Sequence, residues 1–266
     1  MKIGFIGAGN MASAIIKGIC KKKILNPKDI FVFDTINEKM IVLKDECNIT
    51  PVLNNIEVVE NSDILFLCVK PQVLGTVIEE IKNSVNKNAV IVSIAAGKTL
   101  EFLSYHFDAD LKMIRVMPNT PALIGEGISA ICPNLKAKKD SKKLKQVIEI
   151  FNSLGETQIV NEDMVDVAGQ IAGASPAWIS MVIEAMVDGA VHEGMSREQA
   201  YKFASAGVAG AGKLALSIGG NPSVIKDMCS SPKGTTIEGI KVLEQRGVRG
   251  AFMDAVIEAC EKSRRI

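Results

Sequence analysis

The order of events in the first two dozen residues constrains this chain more than anything else in it. A short apolar strand, Lys2–Ile6, runs directly into Gly7-Ala8-Gly9-Asn10-Met11-Ala12, and a helical pattern then continues from Asn10 to about Lys21. Strand, G-x-G-x-x-A and helix in that order make the opening unit of a dinucleotide-binding fold. Gly7 permits the tight turn, Gly9 has no Cβ to obstruct a pyrophosphate, and Ala12 lets the helix lie close to the strand. The helix N-terminus offers unpaired N–H groups and partial positive charge to the phosphates. The plainer alternative is a tight turn with no ligand, and the placement between strand and helix favours the nucleotide.

The chain keeps this rhythm to about residue 160. Apolar runs at Ile30–Phe33, Asp63–Val69, Ala89–Ile94, Leu111–Met117, Gly127–Cys132 and Glu156–Val160 read as strands. Helical stretches at Asn37–Glu46, after Pro71 and at Lys138–Ser153 lie between them. Asp63–Val69 is apolar without alternation, as a parallel strand covered on both faces should be. The expectation is an α/β fold: a Rossmann-type doubly wound parallel sheet over residues 1–160. Beyond Asn161 the strand signal stops. Residues 161–266 read as an all-helical domain, with helices at Glu162–Ala172, Ser175–Glu193, Arg197–Ser217, Pro222–Cys229, Thr235–Gln245 and Arg249–Ser263. Small residues over Ala204–Gly212 suit close approach of another helix, from the same chain or from a second subunit.

Charge and cysteine usage exclude several classes. With 31 Lys+Arg against 30 Asp+Glu the chain lacks the basic excess that nucleic acid or an anionic membrane surface would require. The six cysteines are scattered with no CxxC and no neighbouring His, so neither a metal site nor a disulfide frame is expected, and the compartment reads as cytoplasmic. The glycine-broken start does not read as a signal peptide. Val167–Ile183 is uncharged, but Gln170, Gly173, Ser175, Pro176 and Ser180 interrupt it. It reads as a buried helix pair broken near Pro176, not as a membrane span.

Ligands of doubly wound sheets bind at the carboxyl ends of the strands, which singles out a few further residues. Asp34 ends the second strand, where a carboxylate accepts from ribose hydroxyls and repels a 2′-phosphate, so the local residues lean towards NADH. Asp34 as a plain turn cap is the alternative. Lys70-Pro71 and Ala95-Ala96-Gly97 end two later strands, the small residues leaving room for a flat nicotinamide. Met117-Pro118-Asn119-Thr120-Pro121 makes a rigid, hydrogen-bonding loop at the same edge. In the helical half, Ser230-Ser231-Pro232-Lys233-Gly234-Thr235-Thr236 leads into a helix, with Thr235 and Glu238 at capping-box spacing and an N-terminus suited to a carboxylate. Acid–base candidates are few: His106, His192 and the mid-helix Lys213. A substrate that is already electrophilic, such as a protonated imine, needs little help of that kind.

These segments together resemble the pyrroline-5-carboxylate reductase family over essentially the whole chain. The resemblance is carried by IGFIGAGNMASAIIKG from Ile3, LFLCVKPQ from Leu65, VSIAAGKTL from Val92, RVMPNTPALIGEG from Arg115, MSREQAYKFA from Met195 and KDMCSSPKGTTIEGIKVLEQRG from Lys226. It implies reduction of 1-pyrroline-5-carboxylate to L-proline by NADPH or NADH, the last step of proline biosynthesis. It implies a helical domain that forms a homodimer, with pentamers of dimers as a further assembly. It implies cofactor contacts at Gly7, Ala8, Gly9, Asn10, Met11, Asn55, Cys68, Lys70, Pro71, Ala95, Ala96 and Gly97. Substrate contacts fall on Ser230, Ser231, Gly234, Thr235 and Thr236, with Asn119 from the strand-end loop. Thr236 is the residue expected at the ring nitrogen.

The chain departs from the family pattern at Ala172, Ala174 and Trp178, at Lys233 where a glycine is usual, and at Asp34. A paralogue acting on a related cyclic imine therefore stays open. So do a β-hydroxyacid dehydrogenase using Lys213 and a nucleotide-binding regulator without catalysis.

Overall fold

The computed structural model describes residues 1–265. The chain opens with β1 (Ile3–Ile6), α1 (Asn10–Lys22), a 3₁₀ turn at Pro27–Asp29, β2 (Ile30–Phe33) and α2 (Asn37–Cys47). It continues through β3 (Thr50–Pro51), α3 (Asn55–Glu60), β4 (Ile64–Leu67), α4 (Leu74–Ile81), β5 (Val90–Ser93) and α5 (Leu100–Phe107). Then come β6 (Lys112–Met117), a 3₁₀ turn at Thr120–Ile124, β7 (Gly127–Pro133), α6 (Leu135–Lys139), α7 (Ser141–Asn152) and β8 (Gly155–Ile159). The helices α8 (Glu162–His192), α9 (Arg197–Ser217), α10 (Pro222–Met228), α11 (Thr235–Gln245) and α12 (Val248–Arg264) complete it.

The strands form one sheet in the order β3-β2-β1-β4-β5-β6-β7-β8. The order reverses beside β1, and that switch point places a ligand crevice at the carboxyl ends of β1 and β4. Every residue of β1, β4 and β5 is buried, because helices cover both faces there. One face packs around Phe5, Phe66 and Phe151 with Ile15, Ile16 and Ile19 of α1. The Phe5 and Phe66 rings stack at 4.6 Å. The other face packs α4 and α5 through Leu74, Ile78, Leu103 and Phe107.

The sequence reading needs three corrections here. The sheet is not wholly parallel, since β7 runs antiparallel to β6. The segment between them holds one 3₁₀ turn and is too short for the crossover that parallel neighbours need. The helix expected at Lys138–Ser153 is two helices, because Asp140 stops α6 and caps α7, accepting from the Lys143 amide at 3.2 Å. The helix pair expected around Pro176 is a single helix, α8, with Pro176 inside it, and most of that stretch is half-buried, not buried.

The chain divides into two compact units, Met1–Gly173 together with the stretch from Lys262 on, and Ala174–Glu261. The last strand ends at Ile159, so the first turns of α8 pack with the sheet-bearing unit. Within the second unit the buried core is small, formed by Val187, Ala200 and Ala204. That unit also carries an apolar groove of about 720 Å³ lined by Trp178, Met181, Met186, Leu243 and Phe252 among others. Among the described residues no helix is long and apolar enough to cross a membrane.

Candidate active site

The glycine turn folds because its backbone is held on both sides. The Gly7 amide donates to the Phe33 carbonyl at 2.8 Å, and the Cys68 amide donates to the Ile6 carbonyl at 2.8 Å. Gly7 has φ +97°, and a Cβ there would lie 2.7 Å from the Cys68 carbonyl oxygen, so the fold itself demands glycine. Gly9 is different. Its backbone is extended at φ −71°, which any residue adopts, and a Cβ would meet no protein atom within 4 Å. Open space over the uncapped N-terminus of the 13-residue α1 fits a pyrophosphate.

Asp34 stands where the sequence places it, at the carboxyl end of β2, with its side chain 10% exposed. One oxygen accepts the Ala8 amide at 2.7 Å, and the other accepts the Ile36 amide at 2.9 Å. Lys39 Nζ lies 3.5 Å away. Phe33, Asp34, Thr35, Asn37, Met40 and Leu53 line a concavity of about 340 Å³ beside this carboxylate.

Asn55 begins α3 and is buried, donating from Nδ2 to Glu80 Oε2 at 2.9 Å. A carboxylate only accepts, so that contact fixes the amide's orientation. Asn55 Oδ1 is then left buried with no hydrogen-bond partner among the described residues. Such an acceptor calls for a donor from outside the chain, and a sugar hydroxyl would serve. The residues present therefore fit a dinucleotide.

At the other strand ends, Cys68 is held protonated, since burial pushes its thiol up. Lys70 is exposed at the end of β4, beside Pro71. Ala95 is buried after β5, Ala96 is exposed, and Gly97 turns the chain at φ +70° with nothing within 4 Å of its Cβ position. Asn10 is exposed and Met11 half-buried at the head of α1. Asn119, expected at the substrate, is buried and has both ends of its amide engaged by the protein. Nδ2 donates to the Ala172 carbonyl at 3.0 Å, and Oδ1 accepts the Ile128 amide at 2.9 Å.

In the second unit the capping box expected from Thr235 and Glu238 does not form. The N-cap of α11 is Gly234, which has no side chain to cap with, and Thr235 is already the first helical residue. Lys233 causes the shift by turning the chain through φ +59°. The turn is closed by the Gly234 amide on the Ser231 carbonyl at 3.0 Å and by the Ser230 hydroxyl on the Lys226 carbonyl at 2.7 Å. No side chain caps the first amides of α11, and the hydroxyls of Ser231, Thr235 and Thr236 are exposed beside them.

The acid–base candidates are elsewhere. His106 lies 3.6 Å from Glu79 and packs on Phe102 with ring centroids 4.3 Å apart. His192 is exposed beside Glu193, and Lys213 is exposed on α9. Sequence reasoning gave no role to Arg115, which is buried in β6 and reaches Asp166 at 2.5 Å and Glu162 at 3.6 Å. An arginine inside an apolar strand run was the available signal, since a buried charge requires partners. Among the described residues no cluster of His, Cys, Asp and Glu could hold a metal ion.

A doubly wound sheet with this turn and strand-end carboxylate, followed by a helical unit, defines a nicotinamide-dinucleotide-dependent oxidoreductase. The family model for pyrroline-5-carboxylate reductase dimerisation matches residues 162–266, and that for NADP oxidoreductase, coenzyme F420-dependent, matches residues 2–97. The chain belongs to the pyrroline-5-carboxylate reductase family: it is 42% identical to the pyrroline-5-carboxylate reductase of Escherichia coli over all of this chain and 98% of that one. The enzyme of that name from Methanosarcina acetivorans is also 42% identical, over 100% of this chain and 97% of its own. Among solved structures, the Coxiella burnetii pyrroline-5-carboxylate reductase superposes with a TM-score of 0.93 at 30% identity, covering 99% of this chain and 97% of that one. The Plasmodium falciparum pyrroline carboxylate reductase with NADP bound gives 0.85 at 31%, covering 100% and 97%.

Proposed function

We propose that this chain reduces 1-pyrroline-5-carboxylate to L-proline with NADH or NADPH, the last step of proline biosynthesis. The observation that carries the reading on to the substrate is the α11 N-terminus, uncapped by any side chain and ringed by hydroxyls. The first amides of α11 would hold the substrate carboxylate, where the helix terminus adds partial positive charge. Ser230, Ser231, Gly234 and Thr235 shape that turn, and Thr236 Oγ1 accepts from the N–H of the protonated ring. When bound, the dinucleotide supplies the hydride that reduces the C=N bond. The glycine turn, Asp34, Asn55, Cys68, Lys70-Pro71 and Ala95–Gly97 bind and orient it. An iminium carbon is already electrophilic, so the residues of this chain contribute orientation and electrostatics in place of proton transfer.

Asp34 weights the cofactor choice towards NADH, because its carboxylate faces the concavity that a 2′-phosphate would enter. The functional unit is a homodimer, with pentamers of dimers as its larger assembly. The open space at Gly207, Gly210 and Gly212 supports contact with a second copy, since intrachain packing does not require glycine at those positions. The protein works in the cytoplasm, in keeping with its six free cysteines.

Steady-state oxidation of NADH and NADPH by 1-pyrroline-5-carboxylate tests the reading, with Thr236→Ala and Lys213→Ala beside the wild type. Turnover by the wild type that Thr236→Ala reduces about a hundredfold, and Lys213→Ala leaves intact, is the expected result. The reverse pattern would mark a dehydrogenase that uses a lysine acid. No turnover with normal dinucleotide binding would mark a regulator.

A further inference from the structure

The stretch between β5 and α5, residues 94–99, carries the Ala95-Ala96-Gly97 turn, and its internal hydrogen bonds are long. The Ala95 amide donates to Ser93 Oγ at 3.4 Å, and the Lys98 amide donates to the Ala95 carbonyl at 3.4 Å. Gly97 turns at φ +70° with open space about its Cβ position. A turn so loosely bonded within itself takes its shape from what holds its ends. At the near end the Ile94 amide donates to the Leu67 carbonyl of β4 at 3.3 Å. At the far end the Leu100 amide, the first of α5, donates to Glu162 Oε1 at 2.6 Å. Thr99 caps a different amide, that of Phe102, at 3.0 Å. A carboxylate at this position also meets the partial positive charge of the α5 N-terminus.

Glu162 opens α8 and is itself aimed. Arg115, its side chain 3% exposed in β6, lies 3.6 Å from the same Oε1 through Nη1 and 2.5 Å from Asp166 Oδ1 through Nη2. Glu162 and Asp166 stand one helical turn apart, so both carboxylates reach one guanidinium. A cation buried that deeply needs its partners, and the rigid fork of an arginine fixes two of them at once. All of these residues belong to the sheet-bearing unit.

We infer that Glu162 is a positioning residue for the nicotinamide end of the dinucleotide: aimed by Arg115, it clamps the amide at which the Ala95–Gly97 turn runs into α5. It acts through the turn and not on a reacting atom. The inference rests on the proposed placement of the dinucleotide, with the nicotinamide at that turn. Without the clamp the turn loses its fit to the flat ring, while the contacts at the glycine turn, Asp34 and Asn55 stay in place.

Four proteins test this: wild type, Glu162→Ala, Arg115→Lys and the double variant. Hydrogen exchange is followed at the amides of residues 98–103. Dissociation constants are measured by calorimetry for NADH against ADP-ribose and for NADPH against 2′-phospho-ADP-ribose, since each fragment lacks only the nicotinamide. Glu162→Ala should speed exchange about tenfold and weaken the dinucleotide about tenfold, the weight of one lost charge-assisted hydrogen bond. The matching fragment should bind within about twofold of wild type. Arg115→Lys, whose ammonium cannot fork to both carboxylates, should weaken the dinucleotide about threefold. In the Glu162→Ala background it should add no more than about twofold.

Equal losses for dinucleotide and fragment would overturn the inference, because a general loosening of the unit does not single out the nicotinamide. Unchanged exchange, or faster exchange with unchanged dinucleotide affinity, would overturn it too. So would an undiminished effect of Arg115→Lys in the Glu162→Ala background. Should Glu162→Ala fail to fold, Glu162→Gln takes its place: it keeps an acceptor oxygen and should weaken the dinucleotide about threefold with the fragment unchanged. A wild type that binds the dinucleotide and does not turn over 1-pyrroline-5-carboxylate sinks the proposed reaction, and the exchange and binding results still decide the role of Glu162.

Discussion

Asp34 and Ala8 are joined by a 2.7 Å hydrogen bond from the Ala8 amide to the Asp34 carboxylate, which ties the end of β2 to the glycine turn. The same carboxylate therefore braces the turn and lines the concavity at the end of β2. Asp34→Ser should separate the two effects. Removing the negative charge should raise the NADPH:NADH ratio of kcat/KM about tenfold, the order of one close charge interaction screened by bulk water. Loss of the turn's acceptor should lower efficiency with both cofactors. Lys39, 3.5 Å from Asp34, would then be released towards a 2′-phosphate. A ratio that does not move would show that Asp34 is a brace and nothing more.

Gly7 and Gly9 stand two residues apart and are glycine for different reasons. A Cβ on Gly7 meets the Cys68 carbonyl at 2.7 Å on a backbone at φ +97°, whereas one on Gly9 meets nothing. Gly7→Ala should therefore cost stability, about 2 kcal/mol or more by urea denaturation. Gly9→Ala should leave the denaturation midpoint unchanged and weaken dinucleotide binding more than tenfold by fluorescence titration. Equal stability losses in both would contradict the assignment of Gly9 to the ligand.

The contrast between those glycines shows what could be read from the sequence. Gly7, Gly9 and Asp34 belong to short strand–turn–helix patterns that are legible in the residue order itself, even though Gly7 meets Cys68 and Asp34 meets Ala8 across the sheet. What escaped depends on partners far along the chain. Nothing near Pro176 signals an unbroken helix, and one contact to the turn before it, from Asn119 to the Ala172 carbonyl, comes from upstream of the whole of β7, α6, α7 and β8. The role of Arg115 likewise waits for Asp166 and Glu162 to arrive on α8. At the substrate turn, the residue types were legible but the cap was not. Thr235 has the composition of an N-cap, and a left-handed Lys233 moves the cap to Gly234.

Alkaline pH gives a separate handle on the nucleotide-binding unit. Burial pushes the Cys20 thiol up to about 12, helped by Cys47 beside it. An unfolded cysteine ionises near about 8.5. The folded chain thus keeps its proton where the unfolded chain loses it. The stability this contributes is complete below the unfolded value and is lost as pH rises towards about 12. Cys47 is also raised, chiefly by burial, and acts in the same direction. Denaturation midpoints from pH 8 to 11 should fall, and Cys20→Ala should flatten part of that slope. A variant whose midpoint falls as steeply as the wild type would mean that other groups set the alkaline limit.

Lys233 is a lysine in a left-handed turn at φ +59°, immediately before the Gly234 that caps α11. A side chain in that conformation costs about 1–2 kcal/mol relative to glycine. Lys233→Gly should therefore raise stability by about 1 kcal/mol, read as a higher denaturation midpoint. Its effect on the imine tests the charge. If the ammonium helps to hold the substrate carboxylate at the α11 N-terminus, KM for 1-pyrroline-5-carboxylate should rise about threefold to tenfold in Lys233→Gly, with kcat little changed. Lys233→Arg keeps the charge and the strain, so it should keep the wild-type KM and show no gain in stability. A Lys233→Gly variant that is more stable and has an unchanged KM would show a strained turn with no part in holding the substrate. The carboxylate would then be left to the amides of α11 and the hydroxyls around them.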